Sequence, residues 1–290
     1  MAYKVDNAVI MAAGTASRFA PLSYERPKAL IMVKGEVLIE RQIRQLQEAG
    51  ISDVYIITGY KAEMFDYLRD KFGVTLIHNP MYLSRNNNSS IHYARDVLKN
   101  TYICSADNYF TKNPFETEVD DSYYAAVYAD GPTAEWCLET DDQGYINRVQ
   151  IGGENSWYML GHTFWSEDFS QKFIDILERE YDLPETADKL WESIYMDHLD
   201  ELKMKMRKYD DDFIFEFDSL DELRVFDQSY FDDAHSEILK DVANRLCVQE
   251  KNLTGFKAHK STTNAADGFE FICKEQKYCY LYSNREIQKI

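Results

Sequence analysis

The sequence predicts an α/β fold: a doubly wound, mostly parallel sheet flanked by helices, then a strand-rich portion and a short C-terminal appendage. Three observations carry this. Between residues 8 and 105, short apolar runs alternate with stretches of helical spacing, the pattern of parallel strands joined by crossover helices. The first run, Ala8-Val9-Ile10, is apolar on both faces of a strand and leads into Gly14. Beyond Tyr123 the alternation gives way to strand-length runs separated by turn residues such as Asp141-Asp142-Gln143-Gly144.

Taken in order, 8–12 reads as a buried parallel strand. Residues 37–49 have helical spacing (Leu38, Ile39, Ile43, Leu46) and stop at Gly50. A strand at 53–58 and an amphipathic helix at 64–72, stopped by Gly73, follow. Then come a strand at 75–78, a helix at 89–98 and a strand at 101–105 leading to Asp107. Further strands are expected at 125–128, 136–139, 146–151, 161–165 and 213–217. Helices are expected at 169–181, 187–199 and 219–226, the last capped by Ser219. A boundary is expected near 235. It separates a main domain, 1–235, from an extension, 236–290, made of a helix at 238–246 and a hairpin at 268–273 and 277–282. The main domain divides into halves at about 120.

The 290 residues carry a formal net charge of -18, which excludes a general nucleic-acid binder and disfavours anionic membrane surfaces. The charge is uneven: 23 basic against 43 acidic residues precede 236, and nine basic against seven acidic residues follow. The five cysteines form no C-x-x-C pair and show no zinc-ligand spacing with the six histidines. With no signal-peptide pattern and no bilayer-length apolar run, the sequence reads as cytoplasmic.

The chemistry concentrates near the first strand. Met11-Ala12-Ala13-Gly14-Thr15-Ala16-Ser17-Arg18 is followed by Pro21 and then Arg26-Pro27-Lys28. A glycine loop leaving a strand can aim backbone N–H groups at phosphate, and Arg18 and Lys28 add two cations to the same region. Together these describe a triphosphate grip. It is neither a Walker A loop nor a G-x-G-x-x-G dinucleotide turn. Two carboxylates, Asp107 and Asp218, each end a strand, where a side chain can face the ligand crevice. They are the candidate magnesium ligands, since Mg²⁺ takes one or two carboxylates together with phosphate oxygens.

The segment 12–28 resembles the nucleotidyltransferase signature A-A-G-x-x-[ST]-R-x-x-P followed by P-K. More narrowly, the chain resembles the bacterial CTP:phosphocholine cytidylyltransferases. The matching residues are Gly59-Tyr60, Asn86-Asn87 with Ser90, Asp107-Asn108-Tyr109, Glu135-Trp136, Phe164-Trp165, Trp191 and Glu216-x-Asp218-Ser219, in order over roughly 5–230. The resemblance implies a Rossmann-like nucleotidyltransferase fold and transfer of a cytidylyl group from CTP to phosphocholine with Mg²⁺ as cofactor. It implies Lys28 and Arg18 on phosphates. Ala12, Ala13, Gly14, Thr15, Ser17, Gly59, Asn87 and Ser90 would lie at the nucleotide, and Asp107 and Asp218 would hold the metal.

A choline acceptor calls for aromatic faces and carboxylates around a quaternary ammonium. Glu135 and Trp136 are the first candidates, Phe215 and Glu216 the next; Trp165 and Trp191 follow, with core packing as their default. His162 reads as a core or edge histidine, and Cys104 as a small core residue. Competing expectations are a sugar-1-phosphate nucleotidyltransferase, a phosphoethanolamine or aminophosphonate cytidylyltransferase, and a nucleotide-binding regulatory protein without turnover. The tail, through Asp241 to Leu246, Leu253 to Phe256 and Thr262-Thr263-Asn264, resembles the opening of choline kinase-type phosphotransferases. It is too short for a kinase and has no catalytic loop, so the expected roles are a remnant, a docking element or a homo-oligomer contact.

Overall fold

Residues Asn7–Ala12 form the strand from which the architecture is laid out, and all but one of its side chains are buried. The computed structural model describes residues 2–260 and 266–290; Thr262, Thr263 and Asn264 of the tail motif fall outside them. By packing, the chain divides into two units. The first comprises the chain up to Gly14 and Leu38–Glu216; the second comprises Thr15–Val37 and Phe217–Ile290.

The first unit is built on a seven-stranded sheet. Its strands are β1 (Asn7–Ala12), β2 (Val54–Thr58), β3 (Thr75–His78), β4 (Thr101–Ser105), β5 (Tyr123–Thr140), β6 (Ile146–Trp165) and β7 (Lys205–Tyr209). They lie in the order β7-β5-β6-β4-β1-β2-β3. β4, β1, β2 and β3 run parallel to their neighbours, as does β7 to β5, whereas β6 runs antiparallel to both β5 and β4. The sheet is therefore mostly parallel, as expected. The chain leaves β1 toward β2 and β3 and later returns to β4 on the other side. This makes the β1/β4 junction the switch point at which open α/β sheets bind ligands beyond their strand ends.

Two expectations change here. The separate strands at 125–128 and 136–139 are one strand, β5, and those at 146–151 and 161–165 are one strand, β6. The apparent breaks at Gly131-Pro132 and Gly152-Gly153 are absorbed as shifts of register along one long hairpin, which bulges allow without ending the strands. β7 was not expected: Lys205-Met206-Arg207-Lys208-Tyr209 is too basic to read as a strand, yet it forms the sheet edge, where charged side chains are at home.

A core cluster of this unit gathers Val9, Ile57 and Ile103 from the sheet with Trp165, Phe169, Phe173, Trp191 and Tyr195. Ser166 caps helix Glu167–Glu180 by accepting from the Phe169 N–H at 3.3 Å. His162 is fully buried among aromatic rings, its Nε2 2.8 Å from the Tyr123 hydroxyl. Burial pushes its pKa down to about 3. It is a neutral core histidine, as expected.

The second unit joins two distant stretches of chain. Helices Leu220–Phe226 and Glu237–Leu246 begin at Ser219 and Ser236, each accepting from the N–H three residues on. A four-stranded antiparallel sheet follows: Leu253–Lys260, Ala266–Cys273, Gln276–Leu281 and Ile287–Lys289. The expected tail helix and hairpin are both present, flanked by two further strands. No helix among the described residues is long and apolar enough to cross a membrane.

Candidate active site

At the switch point, the Ala106 N–H donates to the Met11 carbonyl at 3.2 Å, so the turn holding Asp107 sits directly beside the strand that runs into Ala12, Ala13 and Gly14. Helix Leu38–Glu48 fastens this turn from below. The buried amide of Gln42 donates from Nε2 to the carbonyls of both Ser105 and Asn108, each at 2.8 Å, spanning Asp107. Arg41 Nε and Gln45 Nε2 donate to the Phe110 carbonyl just beyond.

The two glycines of this region differ in kind. A Cβ at Gly59 would meet the Ala13 carbonyl at 2.8 Å and the Tyr82 ring at 2.7 Å, and the next residue, Tyr60, donates its N–H to that same carbonyl. Gly59 is thus required by close backbone approach, and it clamps the loop after β1 rather than presenting a side chain. A Cβ at Gly14 would meet nothing within 4 Å, so the packing of the chain makes no demand for glycine there.

Asp107-Asn108 is joined to the end of the unit through the short antiparallel pair Tyr109–Phe110 and Ile214–Phe215, in which Phe215 faces Tyr109. Asn108 Nδ2 donates to Glu216 Oε2 at 3.2 Å. Glu216 in turn shares its field with Glu135: burial first, then these two carboxylates, raise the Tyr158 phenol above its ordinary value. Trp136 is half-buried on β5 and packs on the core edge. Both carboxylates thus act on Tyr158 of β6, which pairs with Cys137, the residue after Glu135-Trp136 on β5, while Glu216 directly follows the strand residue Phe215.

Trp165 and Trp191 lie elsewhere. They are 0% and 1% exposed, packed edge to face on each other and surrounded by Phe169, Phe173 and Tyr124. Rings enclosed in this way are core. Asn87 and Ser90 are also engaged within the unit. Asn87 accepts the Trp191 N–H at 2.7 Å and donates to Glu192 Oε2 at 3.1 Å; buried Ser90 accepts from Asn79 Nδ2 at 3.2 Å.

Glu192 escaped sequence reading. Burial raises its carboxyl to about 7 against the lowering effect of the Asn87 and Tyr124 hydrogen bonds, and it adds to the burial that drives the Tyr124 phenol up. Its one local signal is adjacency to Trp191; the residues that create its environment are remote in sequence. Gln42 was likewise invisible, because a glutamine on a helix gives no sign of which carbonyls it will bridge.

In the second unit, Arg18 Nη1 donates to Asp218 Oδ2 at 2.5 Å. Lys28 is buried, its Nζ 5.7 Å over the Phe19 ring, at the start of the turn Lys28–Leu30. Asp218 is steadied in turn: its N–H donates to Glu222 Oε2 at 2.8 Å. Thr15 and Ser17 are half-buried at the beginning of this segment. Asp107 belongs to the first unit and Asp218 to the second.

The fold, with its glycine turn at the switch point, is that of a nucleotidyltransferase. Residues 8–130 match the model of the MobA-like NTP transferase domain. The choline-phosphate cytidylyltransferase of Streptococcus pneumoniae is 34% identical over 221 residues, 76% of this chain and 96% of its own length. The 2-aminoethylphosphonate cytidylyltransferase of Lancefieldella rimae is 34% identical over 228 residues, 77% of this chain and 93% of its own. The solved structure of CTP:phosphocholine cytidylyltransferase from Streptococcus pneumoniae matches with a TM-score of 0.75 over 78% of this chain and 99% of that one. The chain belongs to the family of choline-phosphate and related cytidylyltransferases.

Proposed function

We propose that the chain transfers a cytidylyl group from CTP to phosphocholine, yielding CDP-choline and pyrophosphate. The observation that carries the acceptor assignment is the pairing of Tyr158 with Cys137, next to Glu135-Trp136, together with the field that Glu135 and Glu216, the neighbour of Phe215, both exert on the Tyr158 phenol. Carboxylates and aromatic faces together suit a quaternary ammonium. The two pneumococcal comparisons point the same way. Trp165 and Trp191 are left out of this acceptor set.

Backbone N–H groups of Ala12, Ala13, Gly14, Thr15 and Ser17 would face the triphosphate. The open space over Gly14 leaves room for a phosphate where a side chain would stand. Lys28 and Arg18 offset its charge, and Gly59 keeps the loop in place. Asp107 and Asp218 offer the hard oxygen donors that Mg²⁺ takes. Among the described residues no cluster of three or more metal-binding side chains forms, so phosphate oxygens would complete such a set. The ion, when bound, would neutralise charge on the phosphates.

The acceptor phosphate, largely deprotonated near neutral pH with a second pKa of about 6, attacks the α-phosphorus while the bond to the pyrophosphate oxygen breaks. No protein base is needed, which agrees with His162 being buried and neutral. The setting would be the cytoplasm.

A second reading, a 2-aminoethylphosphonate acceptor, is favoured by the same carboxylates and phenol, since a primary ammonium wants hydrogen-bond acceptors. Pyrophosphate release with Mg²⁺, the four nucleoside triphosphates and phosphocholine, phosphoethanolamine, 2-aminoethylphosphonate or glucose-1-phosphate separates the readings. Release with CTP and phosphocholine supports the first, and with CTP and the phosphonate the second. Turnover with the sugar phosphate alone discards the acidic aromatic acceptor site, and silence with every pair favours a binding protein.

A further inference from the structure

The second unit places the cationic segment of the signature against the C-terminal extension. The Tyr24 and Tyr282 rings stack with centroids 3.6 Å apart and planes 7° from parallel. Glu25 Oε1 accepts from the N–H groups of Glu237 (2.8 Å) and Ile238 (3.2 Å), the first two residues of helix Glu237–Leu246, and so caps that helix from outside. Strand Leu253–Lys260 packs along Ser17–Phe19, the turn that contains Arg18. Just ahead of the extension, the Tyr230 hydroxyl donates to the Met32 carbonyl at 2.5 Å, and the Lys34 N–H donates to Asp227 Oδ2 at 2.6 Å.

The segment thus held has little structure of its own. Between Thr15 and Val37 it forms two three-residue 3-10 turns, one four-residue helix and two two-residue strands. Pieces this short do not persist alone, because helix nucleation is unfavourable and two-stranded ribbons are marginal. The shape of the Arg18–Lys28 stretch is therefore imposed by what it packs against.

We infer that residues 236–290 are a brace that holds the Arg18–Lys28 segment in its phosphate-binding shape, with Tyr24, Glu25 and Tyr282 as positioning residues for the nucleotide. This rests on the reading that Arg18 and Lys28 bind the triphosphate. The acceptor candidates Glu135, Trp136 and Glu216 lie in the other unit, so loosening the brace acts on one substrate and spares the other.

The test uses the full chain with CTP, Mg²⁺ and phosphocholine. Tyr282→Ala is expected to raise the KM for CTP about three- to ten-fold, the range a lost aromatic pair implies, with the KM for phosphocholine unchanged. Tyr282→Phe, which keeps the stack, restores it. Should Tyr282→Ala fail to fold, Glu25→Ala reads the same split and Glu25→Gln, which keeps an acceptor oxygen, recovers part of it. Amide exchange over residues 17–30 rises in the alanine variants and not in their conservative counterparts. An unchanged KM for CTP, or an equal rise for both substrates, overturns the brace. Lys28→Met is run alongside. If Lys28→Met keeps a normal KM for CTP and normal turnover, the phosphate-binding reading itself falls. If Lys28→Met is impaired while the tail variants behave as wild type, the brace alone falls.

Discussion

Arg18 and Asp218 are 200 residues apart in sequence, and their side chains meet at 2.5 Å. The pair is 76% and 39% exposed, and an ion pair so open to water contributes at most about 1 kcal/mol to stability. Its significance is orientation: an arginine expected on phosphate and a carboxylate expected on magnesium hold each other in place. Arg18→Ala is therefore expected to lower the unfolding free energy from urea titration by less than about 1 kcal/mol while lowering kcat/KM by about 10²-fold or more. A large stability loss with modest kinetic loss would make the pair a structural tie.

Gln42 supports the other carboxylate. Its buried amide donates to the Ser105 and Asn108 carbonyls on either side of Asp107. Gln42→Leu leaves both carbonyls without that donor and is expected to cost about 2 kcal/mol in urea unfolding. Because the turn carrying Asp107 is loosened, the Mg²⁺ concentration for half-maximal rate should rise as well. An unchanged Mg²⁺ requirement would separate Gln42 from the positioning of Asp107.

What the sequence made legible was local. The strands at 8–12 and 101–105 read correctly because an apolar run of strand length is a feature of neighbouring residues. The long hairpin did not, because Gly131-Pro132 and Gly152-Gly153 look like ends when read alone, and only the partner strand turns them into register shifts. The Asn87–Glu192 and Tyr124–Glu192 contacts span 105 and 68 residues, and the Glu25 cap on the tail helix spans 212. Such pairings belong to topology, and no periodicity announces them. Trp165 and Trp191 illustrate the converse: their positions suit the family pattern, yet their rings are enclosed in the core.

His162 gives a pH signature to the fold. Its pKa falls from 6.5 to about 3 because burial penalises the imidazolium. The unfolded chain then binds the proton more readily, so this contribution to stability is complete above pH 6.5. It is lost as pH falls below 6.5, at up to about 1.4 kcal/mol per pH unit. His162→Gln keeps a polar partner near Tyr123 but cannot take up the proton. Its urea midpoint should fall less steeply than that of the wild type between pH 6.5 and 4.5. Parallel curves would mean that His162 is reached by solvent.

Glu192 acts with the opposite sign. Burial raises its carboxyl from 4.5 to about 7, so the folded chain prefers the protonated acid. Its favourable contribution is complete below pH 4.5 and is lost as pH rises from there through 7. Glutamine imitates the protonated form: its oxygen accepts from Asn87 Nδ2, and its NH₂ can donate toward the Tyr124 hydroxyl, the two groups Glu192 already contacts. Glu192→Gln should match the wild type near pH 4.5 and become more stable above pH 7, by at most about 3 kcal/mol, since the side chain is only half-buried by surface area. If Glu192 only braces Asn87 against Trp191, catalysis at pH 8 is unaffected by the change. If its ionised form takes part in holding the acceptor ammonium, Glu192→Gln raises the KM for phosphocholine at pH 8 and leaves it unchanged at pH 6. A variant less stable than wild type at pH 8 would show that the Glu192 charge is well solvated in the folded chain.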